Sequence, residues 1–380
     1  MKKLFPLMPV VLTAMLVFVF TVVAGAQTLP LDPLPDEPER DYWFFLEVNE
    51  PGSLEALQEV VSAPPVPLAV ELEEPIEIAV VYPSHDVSDI WLRTFMAMTA
   101  RLDELEVPYN AVEFASGADE YELQYTQTET VIEEGFDYVV FGSVELTMQQ
   151  GMIEMLIDAG IPTLVFNQEQ VVKDYGDKQP LGYFGYSHLD GAQWLARYII
   201  DRYGPEGTFA LVRGVPGFID DLRSQGFRDY MEVHSDWEFV YEHYGHYMRE
   251  GGYEGGIAAL TAYPEVDLIH PANTAMSMGV LSALMEFGLV DDVILTGWGG
   301  TGDELEAIKL GEMQATPMRM NDDMGAAMAE AIKYHLEGRE DELPLVFVMR
   351  IEIVNDEMRE EEIAELEEEA FRYSGTELVR

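Results

Sequence analysis

The chain has 380 residues, no cysteine and a formal net charge of −50, because 71 acidic side chains outnumber 21 basic ones. This excess of negative charge excludes nucleic acid and anionic lipid as partners, since both bind basic surfaces. Without disulfides the fold depends on its hydrophobic core, and the chain is long enough to form that core in two lobes.

The first 26 residues have the pattern of a signal peptide. Lys2 and Lys3 precede an apolar run over residues 4–23, and Ala24-Gly25-Ala26 supplies the small side chains of a cleavage site. We therefore expect cleavage after Ala26 and export to the periplasm. The alternative is an uncleaved membrane anchor, because the apolar run is long for a signal peptide.

Residues 27–72 are rich in Pro, Asp and Glu and contain one aromatic cluster, Tyr42-Trp43-Phe44-Phe45. This composition predicts an extended acidic arm that docks on the body of the protein through the aromatic cluster. A contact between the arm and a partner protein is the alternative.

From residue 75 onward, apolar strand-like runs alternate with amphipathic helical stretches. Near-continuous Val, Ile, Leu and Phe is typical of parallel strands buried on both faces, and the strands are too many for one sheet. The predicted fold class is therefore α/β, with two doubly wound, Rossmann-like lobes joined by a hinge. Helices are predicted at Ser88–Leu105, Met324–Leu336 and Glu357–Glu369, among others. The predicted strands are Ile76–Tyr82, Tyr109–Phe114, Tyr138–Gly142, Pro162–Asn167, Thr208–Val212, Phe239–Tyr244, Val266–Pro271, Val293–Gly297, Ala315–Met320 and Val346–Val354.

Side chains suited to sugar recognition follow these strands, where open α/β folds bind their ligands. Aromatic faces pack on a sugar ring, polar side chains exchange hydrogen bonds with hydroxyls, and arginine donates to neighbouring oxygens or to an anion. The residues at the successive strand ends are Ser88, Trp91, Asn167, Arg223, Thr274, Trp298 and Arg319.

Each of these residues also has a structural explanation. Arg223 would pair with Asp220 or Asp221, and Arg319 with Asp322 or Asp323 at the start of the next helix. Ser88 or Asp89 would cap a helix, Asn167 and Thr274 would be turn or cap residues, and the tryptophans would be core packing. The binding hypothesis depends on the coincidence of all seven residues at strand ends.

No catalytic, metal-binding or cofactor-binding motif accompanies this set. Zinc-protease, nucleophile-elbow, P-loop and dinucleotide patterns do not occur, and the glycines of Gly297–Gly302 lack the dinucleotide spacing. We therefore expect a binding protein with no cofactor and no metal, and not an enzyme. An enzyme on the same scaffold is the third hypothesis, since a fold alone never excludes catalysis.

Several segments closely resemble the LuxP-type periplasmic receptors for the quorum-sensing signal autoinducer 2, which are relatives of ribose-binding proteins. The resemblance runs from about residue 76 to 374, with the motifs in the same order. These motifs are YPSHDVSDIW, VFNQ, DDLRSQGF, ANTAMSMG, GWGGTGDELEAI, MRMNDDMGAAMAEAIK and AFRYS.

The resemblance implies a type I periplasmic-binding-protein fold, in which two lobes joined by three crossover strands close around the ligand. The expected lobes comprise residues 73–168 plus 299–340, and 169–298 plus 341–380. The resemblance implies a furanose-type ligand, either a borate diester or a borate-free form, and a LuxQ-type membrane sensor histidine kinase as the partner. The seven residues at the strand ends match the ligand contacts of these receptors.

One position departs from the receptors. Asp86 stands where they have glutamine, and a carboxylate beside an anionic borate ester would be repelled unless it is paired. Because Asp with Arg commonly binds neutral hydroxyls, the alternative is a sugar-binding protein that serves an ABC permease. Asp86 is therefore included in the predicted ligand-binding set.

Overall fold

The computed structural model describes residues 43–44, 49–84, 88–117, 120–143, 146–173, 175–176 and 178–376. These residues all lie in one compact unit, Leu31–Arg380. The predicted signal peptide, Tyr42 and Phe45 of the aromatic cluster, and Asp86 lie outside the described residues.

Fourteen strands and twelve α-helices alternate along the described residues. The strands are β1 (Trp43–Phe44), β2 (Ile76–Pro83), β3 (Tyr109–Ser116), β4 (Tyr138–Gly142), β5 (Thr163–Phe166), β6 (Gln170–Val171), β7 (Gly182–Gly185), β8 (Glu206–Arg213), β9 (Asp236–Tyr244), β10 (Leu268–Pro271), β11 (Ile294–Leu295), β12 (Ala315–Arg319), β13 (Val346–Val348) and β14 (Ile351–Asn355). The helices are α1 (Ser53–Ser62), α2 (Ile90–Glu104), α3 (Tyr121–Glu134), α4 (Leu146–Asp158), α5 (His188–Tyr203), α6 (Phe218–Asp220), α7 (Gly226–His234), α8 (Arg249–Ala262), α9 (Thr274–Phe287), α10 (Gly302–Lys309), α11 (Asn321–Leu336) and α12 (Glu360–Ala370), with a π-helical turn at Asp221–Gln225 and a 3-10 turn at Glu340–Glu342.

Two parallel sheets form the framework. The first has six strands in the order β13-β7-β5-β4-β2-β3, and the second has four in the order β11-β10-β8-β9. Every neighbouring pair in both sheets is parallel. The central strands are buried on both faces, with β2 and β4 aligned so that Val80 faces Val140. The predicted parallel, helix-covered architecture is therefore confirmed.

The segment predicted as one strand, Val346–Val354, is two strands that belong to different sheets. Its first part, β13, pairs with β7, and its second part, β14, pairs antiparallel with β12. The change occurs at Met349-Arg350, where the backbone leaves one partner for the other. Apolar pattern alone predicts a strand in both parts and gives no sign of the exchange.

β7 was not predicted, because its four residues begin and end with glycine, which is typical of a turn. β7 and β13 both join the six-stranded sheet, although residues 182–185 and 346–348 lie outside the predicted segments of the first lobe. The lobe boundaries themselves stay a prediction.

The predicted arm is more structured than expected. Instead of a wholly extended segment, it contains α1, whose Leu57 and Val61 are buried. The side-chain amide of Asn49 donates to the Val346 carbonyl at 2.7 Å and its oxygen accepts from the Val346 N–H at 2.9 Å. β1 of the aromatic cluster pairs antiparallel with β6. The described part of the arm thus covers the β13 edge of the six-stranded sheet, which would otherwise expose unpaired backbone groups.

Within the described part of the chain, no helix has the length and apolar character needed to cross a membrane.

Candidate functional site

The residues predicted at the strand ends come together in one cleft. Trp91 lies in the first turn of α2 after β2, Asn167 directly follows β5, and Arg319 is the last residue of β12. Arg223 lies in the π-helical turn after β8, and Trp298 follows β11. The six-stranded and four-stranded sheets both contribute, as expected when the carboxyl ends of parallel strands face one crevice.

The cleft is narrow and partly open to solvent. Six of the eight predicted site residues line it, together with four that were not predicted. The lining residues are Ser88, Ile90, Trp91, Asn167, Ile219, Arg223, Tyr247, Asn273, Trp298 and Arg319.

The hydroxyl of Tyr186 joins the two arginines of the cleft. It accepts a hydrogen bond from Arg223 Nη2 at 2.7 Å and from Arg319 Nη1 at 2.8 Å, and it donates to Asn167 Oδ1 at 3.0 Å. Arg223 also donates to the Ala272 carbonyl at 2.9 Å. These neutral acceptors hold the guanidinium groups in fixed positions without neutralising their charges.

Two other buried arginines of the protein form ion pairs with carboxylates. Arg93 binds the carboxylate of Asp89 at 2.8 Å, and Arg101 binds Glu330 at 2.6 Å. Among the described residues no carboxylate lies within ion-pair distance of Arg223 or Arg319, although only 6% and 4% of their surface is exposed. Because a buried charge is normally paired, this exception points to a ligand rich in oxygen acceptors.

The structural explanations considered for these arginines are wrong. Arg213 takes both aspartates proposed for Arg223, with contacts of 2.8 Å to Asp220 and 2.9 Å to Asp221. The proposed partners of Arg319 are bound to the carboxyl-terminal segment. Asp322 accepts from the backbone N–H groups of Tyr373 and Ser374, and Asp323 pairs with Arg372.

The caps expected at the two helices of the site are also not formed as predicted. Asp89 precedes α2 without capping it, because its carboxylate binds Arg93, and Ser88 Oγ lies 3.5 Å from the Ile90 N–H, at the limit of a hydrogen bond. α11 begins at Asn321 with no side-chain cap.

Asn167 is a turn residue as well as a cleft residue. Its backbone has φ 65°, in the left-handed region, and its amide donates to the Ser143 carbonyl at 2.7 Å. A strained conformation of this kind persists only where surrounding contacts fix it, and such positions concentrate at functional sites. The hydrogen bond from Tyr186 therefore reaches an amide oxygen whose position is already set.

Behind Arg223 lies a buried acid–base pair that sequence reasoning missed. His188 Nδ1 accepts from Arg223 Nε at 3.1 Å, and the Glu169 carboxylate accepts from the His188 backbone N–H at 2.9 Å. Burial raises the pKa of Glu169 to about 8, against a smaller opposing effect of the Arg223 charge. Burial, and then the Arg223 charge, lower the pKa of His188 well below its ordinary value. Both groups are therefore mainly neutral at pH 7, which leaves the arginine charges for a ligand.

The loop that carries Trp298 is fixed by one buried carboxylate. Glu304 accepts from the backbone N–H of Trp298 at 3.0 Å, from that of Gly300 at 2.7 Å and from Thr316 Oγ1 at 2.7 Å. Burial raises its pKa, and these hydrogen bonds oppose that effect. Gly299 has φ 137°, and a Cβ at this position would lie 2.7 Å from Arg319 Nη2, so glycine is required for the loop to approach the arginine.

The tryptophans present both a flat ring and a free donor to the cleft. Trp91 packs edge-to-face on Phe166, with ring centroids 5.2 Å apart, and Trp298 lies 5.2 Å from the Arg223 guanidinium. Among the described residues, neither indole N–H has a hydrogen-bond partner, although both are buried. Buried indole groups usually find a partner, so these two donors are available to a bound molecule.

Two of the predicted residues remain outside this group. Thr274 is buried beside the cleft without lining it, and its hydroxyl donates to the Trp298 carbonyl at 3.4 Å and accepts from Thr301 at 3.2 Å. Thr274 therefore supports the Trp298 loop in this structure. Asp86 is outside the described residues, so its role stays a prediction. That any of the eight contacts a ligand also stays a prediction.

The family follows from comparison with known proteins. The model of the periplasmic binding protein domain matches residues 78–340. This chain belongs to the periplasmic binding protein family. Together with the parallel sheets, the match confirms the predicted type I fold, and the family implies a periplasmic location.

Individual relatives are distant. The D-apiose import binding protein of Paraburkholderia graminis is 22% identical over 243 residues, which are 64% of this chain and 75% of the relative. The ribose import binding protein of Salmonella typhimurium is 25% identical over 187 residues, which are 49% of this chain and 61% of the relative. The relatives named here are binding proteins, in agreement with the expected function class.

Solved structures share the fold at low identity. An ABC transporter solute binding protein from Bacillus halodurans with bound myo-inositol has a TM-score of 0.67 and 22% identity, over 78% of this chain and 99% of that chain. One from Agrobacterium vitis bound with alpha-D-tagatopyranose has a TM-score of 0.69 and 16% identity, over 77% of this chain and 98% of that chain.

Proposed function

We propose that this protein binds a monosaccharide in the cleft and delivers it to an ABC importer. The relatives support this proposal, since the names of the similar binding proteins include apiose, ribose, xylitol and allose. Sequence reasoning favoured an autoinducer receptor and held the importer as its alternative. The comparisons favour the importer.

The observation that carries the proposal is the set of free donors in the cleft. Two indole N–H groups without protein partners and two guanidinium groups without carboxylate partners line the same space among the described residues. A polyol supplies what they require, because each hydroxyl oxygen accepts hydrogen bonds and the C–H faces of the ring pack on the tryptophans. A flat apolar ligand would leave these donors desolvated and unpaired.

Binding would close the cleft between the two predicted lobes. Trp91 and Asn167 follow strands of the six-stranded sheet, whereas Arg223 and Trp298 follow strands of the four-stranded sheet. A ligand that contacts both groups stabilises the closed arrangement by its differential affinity for it. An ABC permease that recognises the closed form would then receive loaded protein in preference to empty protein.

A thermal-shift screen tests this proposal. The chain from Gln27 is heated with D-ribose, D-allose, D-apiose, xylitol and myo-inositol, and with Arg223→Met as the matched control. A sugar at 100 times its Kd stabilises the folded state by about 2.7 kcal/mol, so at least one member should raise the Tm of the wild type and not that of the variant. Equal shifts in both proteins would place binding outside the cleft.

A receptor for autoinducer 2 that signals to a LuxQ-type sensor kinase is the second candidate. The two unpaired guanidinium groups favour it, because an anionic borate diester would neutralise them. The net charge of −50 opposes it, since the protein's field lowers the local concentration of anions at low salt.

The substitution Asp86→Gln separates the two candidates. If the ligand is a borate ester, removing this carboxylate should strengthen binding of the autoinducer precursor in borate and leave ribose binding unchanged or weaker. Titration of both proteins with each ligand measures the difference. Unchanged affinity for the borated ligand would show that the carboxylate is neutralised or directed elsewhere.

A further inference from the structure

Tyr247 is a cleft residue that the sequence did not identify. Its side chain is 97% buried, and its hydroxyl oxygen has no hydrogen-bond partner among the described residues. The residue lines the cleft together with Arg223, whose guanidinium carbon lies 6.0 Å from the centre of its ring. A buried tyrosine hydroxyl normally has a partner, so this one requires an explanation.

The backbone at this position is strained. His246 and Tyr247 have φ values of 54° and 61°, two consecutive left-handed residues that are not glycine. Such a pair is costly, and it persists only where neighbouring contacts determine it. Here Asn273 donates its side-chain amide to the Tyr247 carbonyl at 3.1 Å, and the Gly245 N–H donates to the Arg213 carbonyl at 2.8 Å. The turn between β9 and α8 is thus fixed on both sides of the tyrosine.

The Tyr247 ring occupies space that is left by the missing side chain of Gly214. A Cβ added to Gly214 would lie 2.1 Å from two ring carbons and 2.5 Å from the hydroxyl oxygen, so only glycine leaves room for the aromatic side chain. Burial, and then the charge of Asp220, raise the pKa of the Tyr247 phenol, which therefore keeps its proton. The Tyr247 ring thus lies beside Arg223, and its neutral hydroxyl has no acceptor among the described residues.

We infer that Tyr247 is a ligand-binding residue whose hydroxyl hydrogen-bonds to an oxygen of the bound sugar beside Arg223. This inference rests on the proposed function and adds a specificity-determining contact to it. A sugar with a hydroxyl at that position satisfies the phenol, whereas a deoxy analogue leaves it buried and unpaired. Discrimination of this kind is strong because the penalty falls on a group that water cannot reach.

The substitution Tyr247→Phe tests the inference, because it removes only the hydroxyl. Without ligand, the variant should be as stable as the wild type or more stable, since the oxygen has no protein partner to lose. In calorimetric titration with each of D-ribose, D-allose, D-apiose, xylitol and myo-inositol, the variant should bind about 3- to 10-fold more weakly than the wild type for the sugars that the wild type binds. The matched control is Tyr183→Phe, which removes an equally buried hydroxyl that does not line the cleft.

The outcomes are distinguishable. Wild-type affinity in Tyr247→Phe, or an equal loss in Tyr183→Phe, would overturn the inference and leave the proposed function standing. A fall in the Tm of Tyr247→Phe without ligand would also overturn it, because the hydroxyl would then serve the fold. Wild-type protein that binds none of the five sugars would overturn the proposed function and this inference with it.

Discussion

Replacing both arginines of the cleft should separate binding from stability. In Arg223→Met/Arg319→Met, the charged hydrogen bonds to ligand are lost, each contributing about 1.5–3 kcal/mol. Each single change should therefore weaken sugar binding by about 10- to 150-fold. Because both guanidinium groups donate to the Tyr186 hydroxyl, the two effects should be coupled and should not add.

The cost to folding should come from neutral groups that lose a donor, because no carboxylate among the described residues pairs with either arginine. Losing Arg223 leaves the Ala272 carbonyl and the Tyr186 hydroxyl without this donor, at about 1–3 kcal/mol for each group that stays unsatisfied. The matched control is Arg101→Met, which leaves the buried carboxylate of Glu330 with only the longer 3.8 Å contact to Lys333 and should cost up to about 3–5 kcal/mol. That variant should keep its sugar affinity at temperatures where it is folded.

Calorimetric titration measures sugar binding, and denaturant unfolding measures stability, in the wild type, the double variant and Arg101→Met. We expect little or no sugar binding in the folded double variant, and wild-type affinity with a lowered unfolding midpoint in Arg101→Met. Full affinity in the double variant would refute the assignment of the site. Loss of binding in Arg101→Met while it is folded would show that affinity follows general stability and not the cleft arginines.

Two further predictions concern the surroundings of the arginines. Trp298→Phe removes part of the stacking face and an indole donor that has no partner among the described residues, so we expect sugar affinity to fall by about 10-fold in titration. The Tm should fall as well, because Phe leaves part of the space of this buried indole empty. Equal affinity would show that the indole does not contact the sugar. Burial raises the pKa of Glu169 from 4.5 to about 8, so the folded protein holds a proton that the unfolded chain loses in this range. The protonated Glu169 carboxyl group therefore contributes fully to stability below pH 4.5, and this contribution is lost as the pH rises to about 8. Glu169→Gln keeps a neutral acceptor for His188, and its unfolding free energy relative to the wild type should increase between pH 5 and pH 8 by up to about 1.4 kcal/mol per pH unit. Parallel pH curves for the two proteins would contradict this assignment.

The sequence predicted the position of the site because parallel strands impose it. Once buried strands were recognised from continuous apolar runs, residues such as Trp91 and Asn167 had to meet at one edge of the six-stranded sheet, whichever helices lay between. The strand ends were accurate where the apolar run ends sharply, as at Gly142, the last residue of β4.

The missed residues lack a local signal. Tyr186 follows β7, whose terminal glycines are typical of a turn and not of a strand. Tyr247 and His246 have left-handed backbone, although neither is the glycine or asparagine that usually marks it. Glu169 and Glu304 are two carboxylates among 71 acidic side chains, so composition gave no reason to select them. Only burial, which results from tertiary packing, distinguishes them.

The pairing of charges could not be predicted from sequence proximity. Asp220 and Asp221 are the nearest carboxylates along the chain to Arg223, yet both bind Arg213, which comes from the end of β8. Asp221 is two residues from Arg223, and side chains two apart on a helix do not face each other. Asp220 is three residues away, but Arg213 already binds it at 2.8 Å.

The most direct test of the account is calorimetric titration of the chain from Gln27 with D-ribose, D-allose, D-apiose, xylitol, myo-inositol and the autoinducer precursor, each with and without borate. The account predicts saturable one-to-one binding of at least one monosaccharide that does not depend on borate. Binding of the precursor only in borate would instead support the function of an autoinducer 2 receptor. A folded protein that binds none of these ligands would contradict the assignment of the cleft as a sugar site.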